Sequence, residues 1–591
     1  MAALPARWFI PPGPGREAEA LARSLGIQLP AASVLFHRGY RDAESARRFL
    51  RASLDDLHDP FLLRDMNRAA ARLAEAVRRG EKVLLYGDYD VDGATAVVIL
   101  KTAIELAGGK ALHHIPNRLR DGYGMRAEVL EQAAADGVRL VVSADTGIRA
   151  ADAVRAACRL GLDVVITDHH LPEAELPPAL AVLNPNRPGC AYPEKNLCGA
   201  GVALKLAQAL FAVLEWPAAR ARRVAASLLK LAAIATVADV VPLTGENRVI
   251  VKQGLDGLRS VRNPGLRALL DASGVREGEA PSAGQVAFRV APRMNAAGRM
   301  ADANGVIDLF FTRDEARARE IAAQLHALNQ ERQQAEQEIV EHILAGIERE
   351  PVGDRDAALV FSGVGWHRGV VGIVASRLME RFHRPVLVLS EDVEQDLAQG
   401  SGRSVPGFHL LEALESMADL LLRFGGHRQA AGLAIARCRV GELRERFRAY
   451  AAERLQPGDF RPTLEFDASI DFRQVTAQSV EELLSLAPFG FGNPQPLLAA
   501  CDVEVAGDPV VFGERHLRLR LRQDGRYLTA KAWGFAPRID ELRPGTLIDA
   551  ALTFEQDAYS LSRGYAGWCA VLRDLRPAAG AAPTRNGSTS G

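Results

Sequence analysis

The chain has 591 residues, a formal net charge of −1, 48% hydrophobic residues and 25% charged residues. That is ordinary soluble globular composition, enough for roughly three to five domains, and no apolar run approaches the ~20 residues a membrane span needs. The near-zero charge neither favours nor excludes a nucleic-acid ligand, because an acidic centre can cancel a basic groove elsewhere.

Residues 1–15 lack the basic start and apolar core of a secretion signal. None of the six cysteines forms a Cys-x-x-Cys pair, which argues against a structural zinc site and suits a reducing cytoplasm.

Residues 1–55 read as an N-terminal helical segment, with a helix over 42–54. From 56 to 313, helical stretches at 68–79, 94–107, 126–135 and 150–160 alternate with apolar runs at 83–86, 140–142, 164–166 and 231–237. Runs of that length between polar turns suit buried parallel strands, and the alternation predicts an α/β doubly wound parallel-sheet domain. Residues 314–350 carry apolar positions at threes and fours among many charges, as in a connector helix.

A second strand–helix–strand rhythm over 351–455 predicts a smaller α/β domain, with strands at 358–361 and 386–389 and helices at 372–381 and 411–424. Residues 456–576 are β-rich, with strands at 501–505, 516–521, 528–533 and 547–554, and 577–591 has the composition of a disordered tail.

Each of the four runs in the first domain ends in a chemical motif. Asp88, Asp90 and Asp92 alternate before Gly93; Asp145 precedes Thr146 and Gly147; Asp168, His169 and His170 are consecutive; and Asp239 opens Asp239-Val240-Val241-Pro242. The first motif resembles the start of an EF-hand loop, but the twelfth position is Ile99 where a Glu is required, and what precedes it is a strand pattern. Acids at strand carboxyl ends lie where an open α/β sheet places its site. A buried carboxylate needs a partner, and a metal supplies one. Carboxylates with imidazole and no thiolate select a hard or borderline divalent ion. Asp88, Asp90, Asp92, Asp145, His169 and Asp239 suffice for two such ions, with His170 free to donate to a phosphate.

These motifs resemble the DHH phosphoesterase family, named for the triplet seen at 168–170. The likeness extends to Arg293-Met294-Asn295-Ala296-Ala297-Gly298-Arg299, to Trp366-His367-Arg368-Gly369-Val370-Val371-Gly372, to Gly402-Arg403-Ser404, to Gly425-Gly426-His427 and to Pro488-Phe489-Gly490-Phe491-Gly492-Asn493-Pro494. Departures fall at Thr146, Arg368 and Arg428 and remove no candidate ligand.

The resemblance implies a single-stranded-DNA-specific 5′ to 3′ exonuclease that releases 5′-mononucleotides in DNA repair and recombination. Asp90, Asp92, Asp145, His169 and Asp239 would be ligands of two Mn2+ or Mg2+ ions, Asp88 a neighbour, and His170, Asp90 and Asp145 the catalytic groups. It also implies a DHH-associated substrate domain whose Gly-Gly-His motif forms a binding loop. A single-strand-binding protein and a helicase would be partners of a monomer that touches no membrane.

Substrate contacts are expected from Arg118, Arg293, Asn295, Arg299, His367, Arg403, Ser404, Gly425, Gly426 and His427. Arg403 with Ser404 suits a terminal 5′ phosphate, because guanidinium forks onto phosphate oxygens. The alternation from His516 to Arg522 puts Leu517, Leu519 and Leu521 on one face and Arg518 and Arg520 on the other. With Lys531 and Trp533 this predicts a nucleic-acid surface on an OB-like β-barrel. Two alternatives stand beside this reading: a phosphodiesterase of the same family for short oligonucleotides or cyclic dinucleotides, or a pyrophosphatase; and a non-catalytic DHH-like DNA-binding scaffold.

Overall fold

The computed structural model describes residues 5–13, 15–118, 120–122, 124–353, 356–557, 561 and 566–578. The chain forms two compact units, one over Leu54–Pro462 and one from Arg7–Ser53 with Thr463–Gly591.

The first unit is built on a five-stranded parallel sheet of β1 (Lys82–Tyr86), β2 (Lys110–His114), β3 (Val138–Ser143), β4 (Asp163–Thr167) and β5 (Ala181–Leu183), in the order β2-β1-β3-β4-β5. The strands are short and apolar because both faces are covered. Val83 and Leu85 of β1 enter a core shared with α1 (Met66–Arg79), α2 (Val91–Leu106) and α5 (Gly199–Val213). Leu84 and Tyr86 enter the opposite core, beneath α3 (Ala127–Ala135) and α4 (Ala151–Arg159). In this strand order the topological switch lies between β1 and β3, and a crevice opens at their carboxyl ends.

The fourth expected strand is not a strand. Residues 231–237 form the last third of α6 (Ala218–Ala238), a 21-residue Ala-rich helix, and Asp239 is its C-cap. A short buried apolar run carries the same signal in a helix as in a strand, and the length and alanine content of its surroundings decide for helix. The helix α7 (Gly245–Gly257) follows.

A buried ionic network ties α7 to α5. Lys205 of α5 lies 2.5 Å from Glu246 of α7 and donates to the His58 carbonyl at 2.8 Å. Tyr192 donates to the other Glu246 oxygen at 2.6 Å. Burial, opposed by Glu246, lowers the Lys205 pKa.

One helix, α9 (Glu315–Arg349), runs about 50 Å at 1.5 Å per residue. Its first half contributes Ala318, Ile321 and Leu325 to the first core, and its second half gives Ile339, Val340 and Ile343 to a core with α10 (Val371–Phe382). The second sheet has β6 (Leu359–Val364), β7 (Val386–Asp392), β8 (Leu397–Arg403), β9 (Leu421–Gly426) and β10 (Ala430–Ala436), ordered β9-β10-β8-β7-β6, with only β6 and β7 parallel.

The helix expected over 411–424 stops at Glu415; 416–420 are turns, and from Leu421 the chain is strand β9. Pairing of Phe424 with Leu433 and Gly425 with Gly432 overrides the helical pattern, which two consecutive glycines already weaken.

In the second unit β11 (Leu498–Val505), β12 (His516–Gln523), β13 (Arg526–Ala532), β14 (Leu547–Gln556) and β15 (Trp568–Pro577) run in the order β11-β14-β15-β13-β12, and pairing of β11 with β12 closes the barrel. Leu517, Leu519 and Leu521 point inward as their alternation requires. Leu21, Val34, Leu35 and Phe49 of the N-terminal helices complete this core. The expected tail lies outside the described residues from 579 onward; Pro577 still belongs to β15 and Ala578 is buried. No helix among the described residues is long and apolar enough to cross a membrane.

Lys205→Met alone leaves Glu246 buried and uncompensated and is expected to destabilise the first unit by about 3–5 kcal/mol. In thermal melts, Lys205→Met with Glu246→Leu should recover most of that loss. Equal loss in both would mean that packing, not charge, sets the effect.

Candidate metal centre and substrate groove

Three loops at the carboxyl ends of β1, β3 and β4 meet the C-terminus of α6. Asp88, Asp92, Asp145 and Asp168 are buried there, with Asp90, His169, His170 and Asp239 partly covered. His169 Nε2 lies 3.2 Å from Asp145 Oδ1, 3.6 Å from Asp239 Oδ2 and 3.7 Å from Asp92 Oδ2. Three overlapping sets, Asp92 with His169 and Asp239, Asp88 with Asp90 and Asp145, and Asp145 with His169 and His170, each bring their ligand atoms within 4.8 Å of one another. Asp145 and His169 each belong to two of the sets, and Asp145, with two carboxylate oxygens, could serve two ions.

Local structure explains the convergence. Asp90 caps α2, accepting from Gly93 N at 3.0 Å, and Asn295 accepts from Val91 N at 3.1 Å. Asp92 lies in the first turn of α2 and accepts from Gly199 N at 2.5 Å and Ala200 N at 2.8 Å, so the positive end of α5 holds this carboxylate. Asp145 has a φ of +64°, a left-handed conformation that Asp tolerates better than most residues. A Cβ on Gly199 would lie 2.5 Å from the Asp145 Cβ, so only glycine lets α5 approach.

Asp168 lies behind the imidazoles rather than beside them. It accepts from Ile148 N, His169 N and His170 N, and its Oδ1 is 2.8 Å from His170 Nδ1. Burial opposes ionisation of both groups, yet the hydrogen bonds win: Asp168 stays below the usual carboxylate pKa and His170 rises above the usual imidazole value.

Asp88, Asp92, Asp145 and Asp239 are in the opposite situation. Burial, then repulsion from Asp90, pushes Asp88 far up; burial, then Asp92, does the same to Asp145. Burial also raises Asp92, and with the Asp92 and Asp90 charges it lifts Asp239 to about 9. Burial lowers His169 and keeps it neutral, the form that binds metal. Asp88 Oδ1, Asp145 Oδ1 and His169 Nε2 are buried without a hydrogen-bond partner. Unpartnered oxygens, clustered like charges and a neutral imidazole fit a pair of hard divalent cations.

Beside this cluster lies a groove of about 700 Å3, lined by Tyr89 and Arg118 from loops that follow strands of the first sheet, by Arg368 from a loop of the second α/β domain, and by Ser401, Arg403, Arg423, Gly425, Gly426 and His427 on or beside the second sheet. Arg118, Arg368, Arg403, Arg423 and His427 line it, and among the described residues no acid does. Arg118 stacks over Tyr89 at 4.8 Å. Arg403 donates to Ser401 Oγ at 2.8 Å and to the Gly402 carbonyl at 2.7 Å. Burial and then the Arg118 charge lower the pKa of Arg403, and the same two causes bring Arg299 to about 10. Arg299 donates to the Gly369 carbonyl at 3.1 Å. Guanidinium groups crowded this closely without acids await an anion.

Other expected contacts lie elsewhere. Ser404 is buried and donates to the Phe408 carbonyl at 3.0 Å, so its hydroxyl does not face the groove. His367 accepts from Gly369 N and lines a neighbouring cavity. Asn295 is occupied in capping α2, and Arg293 donates to His326 and to the Arg289 carbonyl. On the barrel, Arg518 and Arg520 are exposed, Arg520 over Tyr527 at 4.3 Å, and Trp533 packs 4.8 Å from His516. Lys531 is paired with Asp557 at 2.8 Å.

Sequence reasoning did not find the α5 N-terminus as the holder of Asp92, nor Tyr89, Arg368 and Arg423 as groove residues. The glycines at 199 and 201 were the available signal for the first.

Comparison with known proteins agrees with this geometry. The DHH family, N-terminal domain, matches residues 82–236, the DHHA1 domain matches 356–454 and the RecJ OB domain matches 466–564. These domains define a DHH phosphoesterase.

The single-stranded-DNA-specific exonuclease RecJ of Bacillus subtilis is 38% identical over 550 residues, covering 93% of this chain and 68% of that protein. RecJ of Escherichia coli is 36% identical, covering 83% of this chain and 85% of that one. The crystal structure of RecJ in complex with Mn2+ from Thermus thermophilus superposes with a TM-score of 0.82 at 32% identity, covering 97% of this chain and 79% of that one, and its Mg2+ complex superposes at 0.76. The chain belongs to the RecJ family.

Adding Mn2+ at a hundred times its dissociation constant should stabilise the protein by about 3 kcal/mol. Asp145→Asn should raise the metal-free melting temperature, by relieving repulsion, and remove most of the Mn2+ shift. Because the folded pKa of Asp239 is raised to about 9, the metal-free protein loses stability as pH climbs from the carboxylate range toward that value. A cation takes the proton's place, so the Mn2+ shift should grow between about pH 6 and about pH 8.5. A shift independent of pH would contradict the assignment.

Proposed function

We propose that the protein is a single-stranded-DNA-specific 5′ to 3′ exonuclease that hydrolyses phosphodiester bonds with two Mn2+ or Mg2+ ions and releases 5′-mononucleotides. The juxtaposition that carries this reading is an acid-rich cation cluster beside an acid-free arginine groove. Asp90, Asp92, Asp145, His169 and Asp239 would hold the ions, with Asp88 adjoining. When bound, the ions supply Lewis acidity to the phosphate under attack and acidify water.

The protein's own groups do the rest. Asp168 orients the His170 ring and favours its protonated form, so that it can donate to a phosphoryl oxygen as charge builds there. Arg403 and Arg118 grip the terminal 5′ phosphate, with Arg299 behind them. Gly425 and Gly426 end β9 at the groove and allow the strand to approach the backbone closely, with His427 beside them. Holding the 5′ end beside the ions fixes the polarity and places the first phosphodiester at the cluster.

On the barrel, Arg518, Arg520, Tyr527 and Trp533 form a basic and aromatic face suited to single-stranded bases. A repair and recombination role, working as a monomer with a helicase and a single-strand-binding protein, follows from an enzyme confined to separated strands. The six free cysteines favour a reducing, cytoplasmic setting.

The direct assay uses 5′-phosphorylated single-stranded DNA with and without Mn2+, set against cyclic dinucleotide and pyrophosphate. Mononucleotide release from DNA alone is expected, and preferential cleavage of either small substrate would contradict the proposal. Arg403→Ala should lower kcat/KM on 5′-phosphorylated ends about 10- to 100-fold and erase their advantage over 5′-hydroxyl ends. Reversing both Arg518 and Arg520 to Glu should weaken DNA binding and make its log–log salt slope shallower by about 1.4, for two lost phosphate contacts on a single strand.

A further inference from the structure

The site described above does not use the segment Val286–Val290, which is wound as a π-helix and runs directly into the helix Ala291–Met300 that carries Asn295 and Arg299. Such turns are rare and concentrate at functional sites. Val286 and Val290 are buried, while Phe288 between them is 83% exposed, the highest exposure of any large hydrophobic side chain among the described residues.

Two cations accompany it. Arg289 is exposed, Arg293 follows, and among the described residues neither forms an ion pair. Arg293 reaches His326 Nδ1 at 3.2 Å and the Arg289 carbonyl, so its contacts leave its charge uncompensated. Burial and the Arg289 charge hold its pKa below the usual arginine value.

A bare aromatic beside two unbalanced guanidinium groups offers what single-stranded nucleic acid needs: a face for a base and partners for its phosphates. The position favours the same ligand. Phe288 precedes Arg299 on one continuous rod, about 16 Å away along the axis.

We propose that Phe288, with Arg289 and Arg293, is a second contact for the DNA strand, outside the groove, stacking on a base that is not being cut and holding its flanking phosphates. This rests on the exonuclease reading and adds a prediction that reading alone does not make: the benefit depends on strand length.

The test compares the full-length wild type, Phe288→Ala and Phe288→Trp on 5′-phosphorylated oligothymidylates of about three and about twenty nucleotides with Mn2+. Loss of one stacking contact should lower kcat/KM on the long strand about tenfold, mainly through KM, and leave the short strand unchanged. Phe288→Trp should restore the long-strand value, which a merely structural role would not predict. Equal losses at both lengths would overturn the proposal. So would no loss at either, which would assign Phe288 to a protein partner instead. A wild type inert on both strands would sink the exonuclease reading itself, and this contact with it.

Discussion

Everything in the first unit answers to one electrostatic problem: several carboxylates are buried close together. Asp88, Asp92 and Asp145 lie under the surface, and mutual repulsion with desolvation lifts their pKa values together with that of Asp239. A fold gains nothing from such a cluster unless cations enter it. The architecture is arranged to hold it anyway. The strand order opens a crevice at the switch between β1 and β3, the α5 amides clamp Asp92, and Asp145 adopts a left-handed backbone that glycine at 199 makes room for. The buried pair of Lys205 and Glu246 joins α5, whose N-terminus holds Asp92, to α7, which follows Asp239 in the chain.

The second half of the design is separation of charge. Acids collect in the cluster and arginines in the groove, which no acid lines among the described residues. Cations and a polyanionic strand can then occupy adjacent space without competing for the same side chains. Asp168 takes a different part from its acidic neighbours: it is hydrogen-bonded and stays ionised, and it favours a proton on His170 against burial, which alone would favour neutral imidazole. The long helix α9 serves both sheets of this unit as one element, contributing side chains to two separate cores.

Much of the chemistry was legible in the sequence, because motifs at strand ends record both residue type and place. The triplet at 168–170 and the alternating acids at 88, 90 and 92 meet where the strand–loop reading put them. Asp239 arrives by another route, from a helix C-terminus, because seven apolar residues carry no period that separates strand from buried helix. Side-chain direction was less legible. Nothing in Gly402-Arg403-Ser404 shows that Arg403 faces the groove while Ser404 turns inward to a carbonyl. Lys531 reads as a free cation until its ion pair with Asp557 is seen, and β9 reads as helix until its partner strand is known. These depend on contacts between residues distant in sequence, which local patterns do not encode.

The central claim is that these acids and His169 exist to hold two cations. Crystals of the protein grown with Mn2+, measured at the manganese absorption edge, test it most directly. Two anomalous peaks roughly 4 Å apart are expected, with Asp145 between them and Asp90, Asp92, His169 and Asp239 in coordination. Density with no peak among these residues, or with ions bound elsewhere while the cluster stays empty, would contradict it.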